Sequence, residues 1–209
     1  MAYKIEAPMG PIAPIFGLEK NMDLGEMFGR SSLICGPPLP ADVMNELRAK
    51  ATLNPELSAM PNIIKDGGQW IVCEEFKEAV EGVNKGDAQF IPVDIQYPDT
   101  RPYETQFYFM YPLFTILCTE VFCFSLSKIE VREVESRLTP GKMNIFRSPL
   151  GGPKQCSVVV NKRAVAGHAV WRVMSGWPDS TYVSDAVIAA WEQKAVDGLD
   201  YYPLREAEC

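Results

Sequence analysis

Two stretches of the sequence read as copies of one unit, and that pairing limits the fold more than any other feature. Residues 70–93 (WIVCEEFKEAVEGVNKGDAQFIPV) and 181–204 (TYVSDAVIAAWEQKAVDGLDYYPL) align without a gap. They pair Val72 with Val183, Cys73 with Ser184, Glu74 with Asp185, Ala79 with Ala190, Glu81 with Glu192, Phe90 with Tyr201 and Pro92 with Pro203. Each copy predicts strand, helix, strand. Phe76, Ala79, Val80 and Val83 recur at the spacing of one helical face, and Val187, Ala190 and Trp191 take matching places in the second copy. Ser184 is a good N-cap with Asp185 behind it for the helix dipole, whereas Cys73 is a poor cap followed by Glu74 and Glu75. Gly86 and Gly198 supply loose or left-handed positions that end the helices. After them, residues 89–95 and 199–204 turn to strand composition. If the copies are equivalent, Phe76 matches Val187, Val80 matches Trp191, and all four face a sheet.

The rest of the chain is read around this pair. With 209 residues and 47% hydrophobic content it supports one conventional core. Prolines at 8, 11, 14, 37, 38 and 40 predict an irregular N-terminal arm over residues 1–40, with a short helix at 18–28 and a short strand at 32–35. A helix is expected over 42–50, and Gly67 and Gly68 turn into the first unit. The apolar run from Gln106 (QFYFMYPLFTILCTEVFCFSLSKIEV) approaches a bilayer span in length. Pro112, Thr115, Thr119 and Glu120 interrupt it, so it predicts buried strands, or a strand followed by a core helix, and no membrane span. A half-exposed strand should cover 127–135 and close at a turn over 139–141. A strand over 156–160, one helical turn from Asn161 to Gly167 and a strand over 168–173 should follow. Residues 205–209 read as a frayed tail. The expected fold is α+β: a single domain over 1–209 with mixed β-sheet, an arm and short helices over 1–59, and a core over 60–204.

The formal charge of -7 and pI near 4.9 argue against nucleic acid as a partner, since Lys and Arg form no extended run. A basic partner suits the charge, as does simple solubility. Six cysteines without CxxC spacing read as free thiols in a reducing compartment, and no secretory signal opens the chain, which predicts a cytoplasmic protein.

Catalytic chemistry has little to draw on. With one histidine, His168, no His-rich metal set can form, and no metal or other cofactor is expected. A small enzyme using His168 with a cysteine or carboxylate is one reading, and a His168 that caps or packs beside Gly167 is the other. The GGPK segment at 151–154 lacks the Ser or Thr and the helix of a phosphate loop. A protein-binding surface is better served. On the connection over 94–104, Tyr97, Asp99, Tyr103 and Glu104 combine large contact area with charge, although its tyrosines could instead complete the core. The acidic helix face of Glu74, Glu78 and Glu81 is the second candidate.

The order of these motifs resembles the immunity-protein family found beside toxins in bacterial polymorphic toxin systems. The resemblance covers about residues 60–204. It rests on Val72, Cys73 and Glu74 at a helix start; Phe90, Ile91 and Pro92; Gly167, His168, Trp171 and Arg172; and Val183, Ser184, Asp185, Gly198, Leu199 and Tyr201 in the closing unit. Cys73 stands where the family usually has serine. The resemblance implies a cognate toxin domain as partner and no catalytic residues; a general protein-interaction module outside toxin systems is the remaining alternative. It leaves homodimerisation open.

Overall fold

The computed structural model describes residues 1–7, 14–20, 38–66, 69–135, 143–149, 158–174, 181–194 and 197–209. In the first unit, strand β5 (Gln69–Cys73) leads into helix α2 (Glu74–Asn84), which exits into β6 (Ala88–Gln96). In the second, β13 (Thr181–Ser184) leads into α4 (Asp185–Gln193) and β14 (Asp200–Ala207). The helices form where the apolar spacing placed them. Phe76, Val80, Val187 and Trp191 are all buried, and α2 packs on α4 through a T-shaped Phe76–Trp191 contact at 5.5 Å between centroids. Ser184 caps α4 by accepting the Val187 N–H at 3.4 Å, and Cys73 makes no capping bond. Gly198 adopts φ +105, a left-handed position that favours glycine, whereas Gly86 is not left-handed and its N–H is held by Asn84 Oδ1 at 2.9 Å.

Each unit lies in its own sheet. The first has the order β2 (Ile15–Lys20), β3 (Ala49–Leu53), β6, β7 (Phe107–Pro112), β5, β4 (Ile63–Asp66). The second has the order β11 (Val159–Asn161), β14, β1 (Ala2–Glu6), β13, β12 (Val170–Met174), β8 (Thr115–Leu117). A hairpin of β9 (Ile129–Glu135) and β10 (Met143–Pro149) stands apart. This is an α+β domain with mixed sheets.

The central strands of the two sheets correspond one for one: β3 with β11, β6 with β14, β7 with β1, β5 with β13 and β4 with β12. The pairing sense agrees at every step, parallel for β3·β6 and β11·β14 and antiparallel elsewhere. Register agrees too. Cys73 lies opposite Phe107 as Ser184 lies opposite Ala2, and Val93 opposite Phe107 as Leu204 opposite Ala2. The amides of Cys73 and Ser184 donate to Asn62 O and Ala169 O at 2.9 and 3.0 Å. At the centre, two equivalent residues meet: Trp70 Nε1 donates to Thr181 Oγ1 at 2.8 Å. The two units are thus related by a pseudo-twofold arrangement, and one strand of the second, β1, comes from the far end of the sequence.

Several expectations change here. Residues 2–6 are not part of an irregular arm but a central strand, because β13 and β14 both have backbone groups that need a partner between them. Residues 205–209 do not fray: β14 pairs with β11 through Ala207, and Cys209 is bonded to Cys123. That disulfide also corrects the reading of all cysteines as free thiols; Cys73 and Cys118 are buried thiols outside it. The helix expected over 42–50 is α1 (Ala41–Glu46), cut short because Leu47 turns extended to enter β3. The strand expected over 127–135 starts at Ile129. The apolar run supplies β7, β8 and the short helix α3 (Cys118–Val121), and no helix among the described residues is long and apolar enough to cross a membrane. Of the helix expected over 18–28, residues 18–20 belong to β2 and the rest lies outside the described residues. Also outside them lie the strand at 32–35, the Gly67 and Gly68 turn, the turn at 139–141, the GGPK segment, and Cys35 and Cys156.

Candidate functional site

The tyrosine-carboxylate connection is the turn of the β6–β7 hairpin, residues 97–106. It is folded on itself. Tyr97 Oη donates to Glu104 Oε2 at 2.8 Å, Arg101 Nε donates to Asp99 Oδ2 at 2.9 Å, and the Arg101 guanidinium sits 4.7 Å from the Tyr97 ring centre. Hydrogen bonds from Arg101 hold the Asp99 carboxyl below the usual range, and the Tyr97 hydroxyl does the same for Glu104. Thr100 takes φ 70 at the tip. Tyr103 is different: its ring packs 6.1 Å from Phe107 and its hydroxyl accepts the Met60 N–H at 3.0 Å. Asp99 and Glu104 therefore face outward on a preformed scaffold, while Tyr103 and the half-buried Tyr97, its ring 5.4 Å from that of Tyr103, tie the turn to the core.

On α2 the second candidate surface is less free. Glu74 is paired with Lys77 at 2.7 Å, and Glu78 is bound by Lys194 from just past α4. Burial raises the Glu74 carboxyl, but hydrogen bonds from Lys77 and Tyr108 outweigh it and the net shift is downward. Glu81 is half-buried. Glu78 thus helps join the two units.

The Gly-His-x-x-Trp-Arg segment builds a brace between the units. Gly167 adopts φ +81, which lets the chain reverse before β12. His168 then stacks on Phe114 at 3.4 Å, and its Nδ1 lies 2.8 Å from Asp87 Oδ1. Asp87 is 2% exposed, and its other oxygen accepts the Ala169 N–H. Asn84 at the end of α2 donates to both Asp87 Oδ1 and Gly167 O, at 3.3 and 3.1 Å. Asp87 is the residue that sequence reasoning missed. Its sole local signal is a carboxylate beside a helix-ending glycine, and its partners lie far along the chain. His168 is thus partnered by a carboxylate, not a cysteine, and burial pushes the Cys73 thiol up to about 12, far from a nucleophile's range. Among the described residues no group of His, Cys, Asp and Glu could hold a metal ion.

Beside this brace lies a cavity of about 250 Å³, lined by Val83, Val165, Gly167, His168, Trp171 and the start of α4, with Met1 and Glu206 across it. The Met1 ammonium lies 2.8 Å from Asp185 and 3.5 Å from Glu206. Trp171 stacks on Tyr182 and is 1% exposed, yet its indole N–H has no partner among the described residues.

Compared with known families, residues 32–206 match the model of the Imm11 immunity protein family. The match extends upstream of the 60–204 core into α1 and β3. No curated protein matches the chain.

Proposed function

Because the chain belongs to the Imm11 immunity protein family, we propose that it neutralises a cognate bacterial toxin in the cytoplasm by binding over the toxin's active or substrate-binding site. The family supports the toxin-neutralising role, and the observation that favours a particular surface is the β6–β7 hairpin turn. Its exposed Asp99 and Glu104 and the Tyr97 hydroxyl are held by internal hydrogen bonds and by the half-buried anchor Tyr103, so little conformational freedom is lost on binding. A net charge of -7 speeds encounter with a basic toxin, and carboxylates at the rim pair with its Lys or Arg. Blocking a toxin this way needs no catalytic group, cofactor or metal in the inhibitor. His168 fits that reading, since its ring is engaged in holding the two units together.

Co-expression with the toxin domain encoded beside it is the first test: the protein restores growth, and failure to do so while soluble would remove the immunity reading. The triple variant Tyr97→Ala, Asp99→Ala, Glu104→Ala, which spares Tyr103, should keep its melting temperature and weaken toxin binding at least about a hundredfold, or about 2.8 kcal/mol. An unchanged dissociation constant would move the interface to the α2 face of Glu74, Glu78 and Glu81.

A further inference from the structure

The two units differ most where β6 joins β7. There the hairpin delivers Tyr103 into the space beside its own sheet: its N–H donates to Ile95 O at 2.8 Å, its ring meets Phe107, and its hydroxyl accepts the Met60 N–H. The strand registers identify the same place in the second unit. Phe107 corresponds to Ala2 and, along β14, Ile95 corresponds to Glu206. Ile63 pairs with Val72 as Val170 pairs with Val183, so Ile64 corresponds to Trp171 and, upstream, Met60 to Gly167. β14 and β1 are separated by the whole intervening sequence, so no hairpin carries a ring to this place, and alanine stands where the first unit has Phe107.

The cavity described above lies there. Glu206, Gly167 and Trp171, the counterparts of Ile95, Met60 and Ile64, all line it, as does Met1 next to Ala2. Its walls are mainly apolar, from Val83, Val165, Ala166, Ala186 and Trp171. At its rim the Gly167 backbone stands where, in the first unit, Met60 offers its N–H to the Tyr103 hydroxyl. A carboxylate is a poor acceptor here because Asp185 and Glu206 already border the space.

We propose that this cavity is a binding site for a p-hydroxyphenyl group, the side chain of a tyrosine presented by the bound toxin, seated as Tyr103 is seated in the first unit. The aromatic ring fills the apolar walls and the hydroxyl oxygen accepts the Gly167 N–H, as the Tyr103 hydroxyl accepts that of Met60 in the first unit. The ligand class rests on the comparison of the two units; its delivery by a toxin rests on the immunity reading, and the two are tested separately.

For the site itself, the probe is N-acetyl-tyrosinamide, titrated into the full chain while ¹⁵N–¹H spectra follow the Trp171 indole and Gly167 amide. Trp171→Phe assigns the indole signal. Both signals should shift saturably, and N-acetyl-phenylalaninamide, lacking the hydroxyl, should bind about tenfold more weakly. Ala166→Phe, at an exposed lining position, should abolish the shifts with the melting temperature unchanged. No saturable shift, equal binding of the two amides, or an undiminished shift in folded Ala166→Phe overturns the site. For the source of the tyrosine, the Gly167 amide signal should shift equally far in the toxin complex; an unmoved signal in a formed complex overturns delivery by the toxin.

Discussion

Asp87 shows how one buried carboxylate fastens two units. Its side chain takes the Ala169 amide and the Asn84 amide group and faces the His168 imidazole, while its carbonyl oxygen accepts the Leu113 N–H at 2.8 Å. Removing it leaves a buried amide without a partner, a loss of about 1 to 3 kcal/mol, and detaches His168 as well. Asp87→Ala should therefore lower the urea midpoint clearly and Asp87→Asn less. His168→Ala should lower stability modestly and still protect cells from the toxin; a folded His168→Ala that fails to protect would return the imidazole to a chemical role. At this scale the sequence marks His168, as the lone histidine, but not what it does. A histidine's role is set by its neighbour, and the neighbour here sits 81 residues away in the chain.

Among the elements, the two helices were the most legible because helical periodicity is local: each turn repeats the same choice between water and core. Phe76, Val80, Val187 and Trp191 all face inward as the spacing requires. What the spacing does not say is that the two helices pack on each other, which the Phe76–Trp191 contact accomplishes. Trp191 is 3% exposed, so Trp191→Ala should cost about 3 to 5 kcal/mol in urea unfolding. A loss below about 1 kcal/mol would mean that the ring contributes little to the joint. Strand ends were less legible. β3 begins where a helix was expected to continue, because Lys50, Ala51 and Thr52 pair with Asp94, Ile95 and Gln96 of a strand more than forty residues later. Such pairing overrides a weak helical preference.

Over the whole molecule, the chain ends are structural. β1 lies between β13 and β14, and Cys209 is tied to Cys123 across 86 residues. Closing a loop of that size restricts the unfolded chain, so reduction or Cys209→Ser should lower stability by about 2 to 4 kcal/mol. Denaturation with and without reductant checks this: the parent should lose stability on reduction and Cys209→Ser should not respond, whereas a parent indifferent to reductant would show that the bridge adds no stability. The sequence by itself determined the α+β class, the two equivalent units, their helices and buried faces, and the family likeness, because these are written in local periodicity and in motif order. The tertiary structure decided which strands are neighbours. It placed a proline-flanked N-terminus at the centre of a sheet, joined Cys123 to Cys209, gave His168 its carboxylate, and left open in one unit the space that Tyr103 fills in the other. Each of these depends on contacts between residues far apart in the chain, whose pairing is settled by satisfying backbone and burying side chains together.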